Sequence, residues 1–243
     1  MSEGTPGRAF DETASTYAAV RPGYPGPALD WLLPAGARRV LDLGAGTGKL
    51  TRQLVERGLD VAAVEPSPQM GAELAAAVPE ARLLPGTAEA IPLPAADVNA
   101  VLVGSAFHWF DHGPALAEIR RVLRRGGTLG LIRNRPDDAV AWVAELDALT
   151  EARAHRGTRR PVPPDPPGFE DVATAEFAHR HPVTRESLLA LLQTFGYYLR
   201  LDRSARADLL AAVGRLVDTH PELAGLVDFE LPFVTRCWRA RRP

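Results

Sequence analysis

The chain has 243 residues, 46% of them hydrophobic and 24% charged, which is enough to bury one sizeable core. Its formal net charge of -2 gives no general electrostatic reason to expect binding to nucleic acid or to an anionic membrane. The single cysteine, Cys237, excludes an internal disulfide, and the sequence lacks both a signal peptide and an apolar run of the roughly 18 residues that span a bilayer. We therefore expect a cytoplasmic protein with a small-molecule or protein partner and with no signal for a particular oligomeric state.

Short apolar runs bounded by turn residues alternate with longer helical patterns up to about Arg133. This alternation is typical of parallel strands joined by crossover helices. The five predicted strands are Val40–Leu43, Asp60–Glu65, Arg82–Leu84, Val98–Val103 and Thr128–Ile132. Right-handed crossovers between them predict an α/β fold with a Rossmann-like, doubly wound sheet.

Helices are predicted between these strands by apolar positions at helical spacing. They cover Gly48–Arg57, Ser67–Ala77 and Pro114–Leu123. Gly58 stops the first helix and Ser67 caps the second, since glycine favours a helix end and a serine oxygen accepts from the first free N–H groups. The pair Gly126-Gly127 predicts a turn into the fifth strand.

Beyond residue 133 the pattern loosens, and the predicted elements are a helix, a proline-rich loop, a strand, two helices and a closing strand. In that order they lie at Ala139–Ala152, Arg159–Gly168, Ala175–His181, Arg185–Leu192, Arg206–Val217 and Phe229–Trp238. No internal repeat and no independent second domain is visible. The helices before and after the sheet are therefore expected to be substrate-facing additions to one domain.

The turn after the first strand is rich in glycine and leads directly into a helix. Such a turn lets the backbone approach a ligand and presents free N–H groups to it. A phosphate-binding P-loop is excluded because Leu43 occupies its first glycine position and Leu50 follows Lys49. The dinucleotide fingerprint is disfavoured but stays open, because Lys49 stands where its third glycine belongs. The spacing is instead G-x-G-x-G, at Gly44, Gly46 and Gly48.

The second strand ends in an acid, Glu65, one turn before Met70. A carboxylate at this strand end can accept hydrogen bonds from both ribose hydroxyls of a nucleoside cofactor, whether nicotinamide- or methionine-based. The alternative is an exposed strand-end acid. The sulfur of Met70 can lie against an adenine ring, although methionine at this helical position is also ordinary core filler.

With these motifs the chain resembles class I S-adenosylmethionine-dependent methyltransferases of the small-molecule group, methyltransferase type 11, that includes trans-aconitate methyltransferase. The matching segments are Leu41–Gly48, Glu65–Ser67 with Met70, Gly86–Pro92, Ala106–Phe110, Leu123–Gly127 and Leu231–Thr235, with Phe10–Tyr17 and Arg21–Pro25 before them. The resemblance implies S-adenosylmethionine as cofactor. It also implies a seven-stranded sheet in the order 3-2-1-4-5-7-6, with the last strand antiparallel and with N-terminal and C-terminal helical additions.

The resemblance also assigns cofactor contacts to residues of this chain. They are Tyr17, Arg21, Gly44, Ala45, Gly46, Gly48, Glu65, Pro66, Met70, Thr87, Ala88, Glu89, Gly104, Ser105 and Ala106. Thr87 departs from the family pattern, since many members carry an aspartate there that accepts from the adenine amino group. Arg21 can bind the cofactor carboxylate bidentately, with Tyr17 beside it. The alternative makes Arg21 a solvated surface charge and the tyrosine a packing residue.

By the same resemblance, residues 1–243 form a single methyltransferase domain in three parts. Residues 10–33 are the lid helices that close over the cofactor, and residues 38–133 are the cofactor-binding core. Residues 134–243 supply substrate-side helices and the closing strands. Ordering of the lid on cofactor binding is therefore expected.

His108 follows the fourth strand, where open α/β sheets present their ligand-binding loops. It is the best candidate for a general base, and the alternative is a histidine that orders the loop. Substrate contacts are assigned to Tyr24, Trp109, Phe110 and Trp142. The alternative for Trp109 and Phe110 is that they merely pack, and packing is an equal alternative for Trp142. No metal is expected, because neither His108 with His112 nor the later histidine pair has carboxylate or cysteine partners to complete a ligand set.

These features predict an enzyme that transfers a methyl group from S-adenosylmethionine to a small molecule with an oxygen, nitrogen or carbon nucleophile. Two alternatives stay open. The first is a methyltransferase-like protein that binds the cofactor in a scaffold role or for a non-methylating reaction, because fold alone does not certify a reaction. The second, more distant alternative is an NAD-dependent oxidoreductase.

Overall fold

The computed structural model describes residues 20–151 and 166–243. The strands are β1 Arg39–Leu43, β2 Asp60–Glu65, β3 Arg82–Pro85, β4 Val98–Gly104, β5 Leu123–Pro136, β6 Glu170–Thr184 and β7 Asp228–Arg241. The helices are α1 Gly26–Leu32, α2 Lys49–Val55, α3 Pro68–Ala77, α4 His112–Val122, α5 Ala141–Glu151, α6 Arg185–Gln193, α7 Gly196–Leu199 and α8 Arg203–Thr219. None of the helices in these residues is long and apolar enough to cross a membrane.

The strands form one seven-stranded sheet in the order β3-β2-β1-β4-β5-β7-β6. The first five strands are parallel neighbours, with Val40 of β1 opposite both Val61 of β2 and Ala100 of β4. β1 and β4 are buried on both faces, which explains why they read as nearly continuous apolar runs. The predicted fold class and strand order are confirmed.

The closing strand β7 runs antiparallel to β5. Gly126 near the start of β5 donates its N–H to the carbonyl of Arg242 at 2.8 Å, whereas Asp137 just past the end of β5 donates to the carbonyl of Pro232 at 3.0 Å. The partner therefore moves backward along β7 as the chain moves forward along β5. The predicted antiparallel last strand is confirmed.

Strand β6 pairs with β7 at the edge of the sheet, also in the antiparallel sense. Arg241 near the end of β7 bonds to Asp171 at 2.7 Å, and Arg180 later in β6 bonds to Glu230 at 3.1 Å. Both strands are longer than the predicted Ala175–His181 and Phe229–Trp238. Charged residues at their ends pair across the two strands, so segments that look like polar loops in the sequence are part of the sheet.

The predicted glycine turn before β5 is a bulge inside a longer strand. β5 begins at Leu123, not at Thr128, because Leu123 already pairs with Val98 of β4. The next pair joins Thr128 to Ala100. The residues between these pairs bulge out of the ladder, and Gly126 there has a φ of +75°, a conformation that glycine adopts without strain.

Most predicted helix boundaries differ from the observed ones by one to three residues, as α2 and α8 illustrate. Helix α2 ends at Val55, before the predicted Arg57, and Gly58 follows with a φ of +75°. Helix α8 starts at Arg203, before the predicted Arg206, because the Asp202 side chain caps it by accepting from the N–H of Ala205 at 2.8 Å. The predicted Ser67 cap of α3 is confirmed by a bond from the Met70 N–H at 3.2 Å. Most of the predicted proline-rich loop lies outside the described residues.

The chain divides into two compact units. Among the described residues, unit 1 holds 20–22, 135–151 and 178–234, and unit 2 holds 23–134, 166–177 and 235–243. Unit 1 has one apolar cluster, built from α5, α6, α8 and the adjoining strand segments. Unit 2 has two apolar clusters on opposite faces of the sheet, since alternate residues of β1 and β4 belong to different clusters. Whether the chain is a single functional domain stays a prediction.

Candidate functional site

The glycine turn lies at the carboxyl end of β1 and is anchored to the next strand. Gly44 and Ala45 donate their N–H groups to the carbonyl of Val64 at 2.9 and 3.1 Å. Gly44, Gly46 and Gly48 have φ values of +71°, +57° and +84°, which side chains of L-residues rarely allow. The three glycines of the predicted motif are therefore required by backbone conformation.

The surroundings of the three glycines differ. A Cβ on Gly44 would lie 2.8 Å from the Cβ of Ala106, and one on Gly48 would lie 2.9 Å from the side chain of Leu74. Among the described residues, a Cβ on Gly46 would meet nothing within 4 Å. Gly44 and Gly48 thus allow close packing, whereas the face of the turn at Gly46 is open to an approaching ligand.

Glu65, at the carboxyl end of β2, is bound to the glycine turn. Its Oε2 accepts from the N–H of Gly46 at 2.8 Å, and its Oε1 accepts from the N–H of Ser67 at 2.9 Å. The side chain is half-buried, unlike the exposed acid of the alternative interpretation. Each carboxylate oxygen can accept more than one hydrogen bond, so Glu65 can hold the turn and still receive ligand hydroxyls.

Sequence reasoning missed Asp42, a carboxyl group buried within β1. It is 1% exposed, and its Oδ2 accepts from the Thr51 hydroxyl at 2.6 Å. Within the described part of the chain, Asp42 Oδ1 and the buried Thr47 hydroxyl oxygen have no hydrogen-bond partner. Burial, with a smaller contribution from the charge of Glu65, raises the pKa of Asp42 to about 7. The signal available in the sequence was a charged residue inside the apolar run of β1.

Four residues predicted to contact the cofactor follow the neighbouring strand ends, Met70 after β2 and Thr87, Ala88 and Glu89 after β3. Met70 is 7% exposed, as core packing requires. Thr87 and Ala90 form a small bridge after β3, and Ala88 belongs to an apolar cluster of unit 2. Glu89 accepts from the N–H of Asp111 at 2.8 Å. The loop after β3 is thereby held to the loop before α4.

The end of β4 brings two predicted contacts together. A Cβ on Gly104 would lie 2.9 Å from the hydroxyl oxygen of Tyr24, so this tyrosine packs directly on the strand end. Ser105 follows with a φ of +59°, a strained value for serine, and donates its N–H to the carbonyl of Ile132 at 2.9 Å. Tyr24, predicted to face substrate, thus lies beside residues predicted to face cofactor.

A short 3-10 turn, Phe107–Trp109, carries the candidate base. Phe107 and Phe110 are buried and meet edge-to-face at 5.7 Å, which fits the packing role of Phe110. His108 is half-buried, with its ring 4.7 Å from the ring of Trp109, and Trp109 is 54% exposed. His108 and Trp109 are therefore the members of this aromatic group that a ligand can reach.

A cavity of about 830 Å³ adjoins this turn within unit 2. It lies on the face of the sheet that bears Val103 of β4 and Leu131 of β5, and its wall continues to Trp238 of β7. Polar lining groups are His108, Arg133 and the pair formed by Arg236 and Glu176 at 2.7 Å. An apolar wall with a few polar groups is the composition typical of small-molecule sites.

Two further candidates belong to unit 1. Arg21 donates to the Thr194 hydroxyl at 2.9 Å and to the Thr194 carbonyl at 3.1 Å, with its guanidinium 4.0 Å from the ring of Phe195. It is thus tied to the end of α6 and is not a solvated surface charge. Trp142 is 3% exposed and meets Phe229 edge-to-face at 5.8 Å, as the packing interpretation predicts. Tyr17 lies outside the described residues.

Several of the described histidines contact aromatic rings. His112 stacks on Phe107 at 4.5 Å, and His179 stacks on Phe233 at 5.4 Å. Burial lowers the pKa of His179, which favours its neutral form. Within residues 20–151 and 166–243, no group of three His, Cys, Asp or Glu residues is placed to hold a metal ion.

The chain is similar to known methyltransferases along nearly its whole length. A family model described as a methyltransferase domain matches residues 41–131. An uncharacterized methyltransferase of Mycobacterium tuberculosis is 45% identical over 95% of this chain and 94% of its own length. Another, from Schizosaccharomyces pombe, is 30% identical over 93% and 94%. A solved type II methyltransferase structure from Anaeromyxobacter dehalogenans superimposes with a TM-score of 0.70 and 25% identity, covering 91% of this chain and 97% of that one.

Proposed function

Since the chain belongs to the class I S-adenosylmethionine-dependent methyltransferases, we propose that it methylates a small molecule at an oxygen, nitrogen or carbon nucleophile. The observation that carries the proposal is the turn after β1. The face of this turn is open at Gly46, and Glu65 borders the turn. Two buried side-chain oxygens beside it, Asp42 Oδ1 and the Thr47 hydroxyl, lack hydrogen-bond partners among the described residues.

The donor and acceptor groups of the turn fit this cofactor. S-adenosylmethionine carries two ribose hydroxyls and an ammonium group, all of which donate hydrogen bonds. Glu65 has acceptor capacity left for the hydroxyls. Asp42 Oδ1 and the Thr47 hydroxyl supply buried acceptors, and burying such atoms costs free energy until a donor reaches them. Asp42, Thr47 and Glu65 would therefore hold the donor groups of the cofactor.

When bound, S-adenosylmethionine supplies an activated methyl group, so the protein contributes mainly orientation. We assign the acceptor to the cavity lined by His108, Arg133 and Trp238. The apolar wall of this cavity can pack against the body of the acceptor, and His108, which lines the cavity, lies 4.7 Å from the ring of Trp109. His108 takes the proton of an alcohol or amine acceptor, whereas a carboxylate acceptor requires no base.

The test is calorimetric titration with S-adenosylmethionine, S-adenosylhomocysteine and NAD in parallel, followed by a screen of small carboxylates, phenols and amines with a labelled methyl donor. Binding of the first two ligands and labelling of one acceptor class are expected. Cofactor binding without transfer to any acceptor would favour the scaffold alternative. Binding of NAD alone would overturn the proposal.

A further inference from the structure

The backbone of Gly23 and Tyr24 is held by amide side chains from two separate elements. Gln53 of α2 accepts from the Tyr24 N–H through Oε1 at 2.8 Å and donates to the Tyr24 carbonyl through Nε2 at 2.7 Å. Asn134 of β5 donates through Nδ2 to the carbonyl of Gly23 at 2.8 Å. The three short hydrogen bonds hold this dipeptide to both elements.

The orientation of both amides is itself determined. The hydroxyl of Thr235, a fully buried residue, donates to Asn134 Oδ1 at 2.7 Å, so the Nδ2 of Asn134 faces Gly23. Gly23 has no Cβ, and one placed there would lie 3.0 Å from Gln53 Oε1. Gln53, Asn134 and Thr235 thus form one connected set, which we call the Tyr24 clamp. All of its members belong to unit 2.

With its backbone held by the clamp, Tyr24 places its hydroxyl at the carboxyl end of β4. There the absence of a side chain on Gly104 makes room for it, since a Cβ would lie 2.9 Å from the hydroxyl oxygen. The strand order β2-β1-β4 puts this point on the other side of the glycine turn from Glu65, about 10 Å across two strand spacings. A ligand whose ribose rests on Glu65 can extend over the turn to this position.

We propose that Tyr24 is a cofactor-binding residue whose hydroxyl bonds the charged amino-acid end of S-adenosylmethionine, and that Gln53, Asn134 and Thr235 are positioning residues for it. This inference rests on the proposed function. A hydroxyl held in place before binding loses little freedom when the ligand arrives, so its hydrogen bond contributes more to affinity than that of a mobile side chain.

Calorimetry with two ligands tests the assignment. S-adenosylhomocysteine has the amino-acid end, whereas 5′-methylthioadenosine keeps adenine and ribose but lacks it. Tyr24→Phe should raise the Kd of S-adenosylhomocysteine about five- to tenfold, the loss of one hydrogen bond, and leave the Kd of methylthioadenosine unchanged. Equal weakening of both ligands, or of neither, would overturn the contact with the amino-acid end.

A double-mutant cycle tests the clamp. Gln53→Leu should weaken S-adenosylhomocysteine binding as Tyr24→Phe does, and the double variant should be no weaker than the worse single one, because both changes remove the same contact. Additive losses would show that Gln53 does not act through Tyr24. Thr235→Val, which preserves shape but cannot orient Asn134, provides the same comparison if Gln53→Leu fails to fold.

Asn99 supplies the matched control. Its side-chain Oδ1 accepts from the N–H groups of Arg38 and Arg39 at 3.1 Å, so it also holds a backbone segment, but at the amino ends of β1 and β4. Asn99→Ala should lower Tm without changing either Kd. If wild-type protein binds neither ligand, the proposed function fails. If wild-type binding is normal and the clamp variants match it, only the clamp is refuted.

Discussion

At the scale of single residues, Glu65 has a structural role in the turn, and its binding of the cofactor ribose is a prediction. Its carboxylate accepts from the N–H groups of Gly46 and Ser67, so it shapes the turn that a cofactor would approach. Glu65→Ala should weaken S-adenosylmethionine binding by about 1.5 to 3 kcal/mol, since the ribose hydroxyls lose a charged acceptor. Calorimetry measures this, with Glu80→Ala, an exposed acid after α3, as control. An unchanged Kd for the Glu65 variant would reject the ribose assignment.

Substitution of His108 distinguishes acid-base catalysis from catalysis by positioning alone. The histidine lines the cavity beside Trp109, so it can reach a bound acceptor. If it removes a proton from an alcohol or amine, His108→Gln should lower kcat roughly 100-fold with little change in cofactor affinity, and the matching limb of the pH profile should disappear. A smaller, pH-independent loss would indicate that His108 only orders the loop. Steady-state kinetics across pH with an acceptor found by the screen make the distinction.

The residues whose place in the fold the sequence predicted best are those required by the local backbone conformation. Gly44 and Gly48 could be identified because their spacing reflects turn geometry within a few residues. Arg21 could not be placed, because its partner Thr194 lies 173 positions away. Asp42 was missed because its place inside an apolar run is only a weak signal, whereas its raised pKa depends on packing from both faces of the sheet.

At the scale of elements, the parallel half of the sheet was predictable and the antiparallel half was less so. β1, β2 and β4 are apolar on both faces, and their predicted bounds differ little from those observed. The start of β5 depends on a bulge, and the ends of β6 depend on charges paired with β7. The start of β5 and the ends of β6 both depend on a partner strand, so their sequences alone resemble a turn and a loop.

The segment before α1 gives the prediction that belongs to this scale. If residues 10–25 close over bound cofactor, hydrogen exchange there should slow when S-adenosylhomocysteine is added. The Tyr24 amide provides an internal reference, because Gln53 already accepts its hydrogen bond without ligand. Exchange measured by mass spectrometry should therefore change before Pro22 and little after it. No protection in residues 10–21 would contradict closure.

At the scale of the whole molecule, the buried Asp42 makes stability depend on pH. Its pKa is about 7 in the folded chain against 3.8 as the ordinary value, so folding favours the protonated form. The contribution of protonated Asp42 to the free energy of unfolding is fully present below pH 3.8 and is lost as the pH rises through about 7. The free energy of unfolding falls by up to about 4 kcal/mol over this range.

Asp42→Asn should remove this dependence, because asparagine can still accept from Thr51 and never ionises. Urea unfolding between pH 4 and 8 measures the effect as the difference between variant and wild type. That difference isolates Asp42 from Glu118, whose pKa is lowered by its hydrogen bond with Arg121 and whose effect has the opposite sign. Parallel curves for the two proteins would refute the assignment.

The strands at the two ends of the sheet bear on how the protein behaves at high concentration. β3 has only four residues and ends in Pro85, which has no N–H to offer. β6, at the other end, is long, but it carries exposed charges such as Glu176 and Arg180, and Pro182 within it has no N–H to donate. Short length, proline and charge are the features by which sheets avoid adding strands from other molecules. Both ends of the described sheet therefore carry features that disfavour pairing with strands of other molecules.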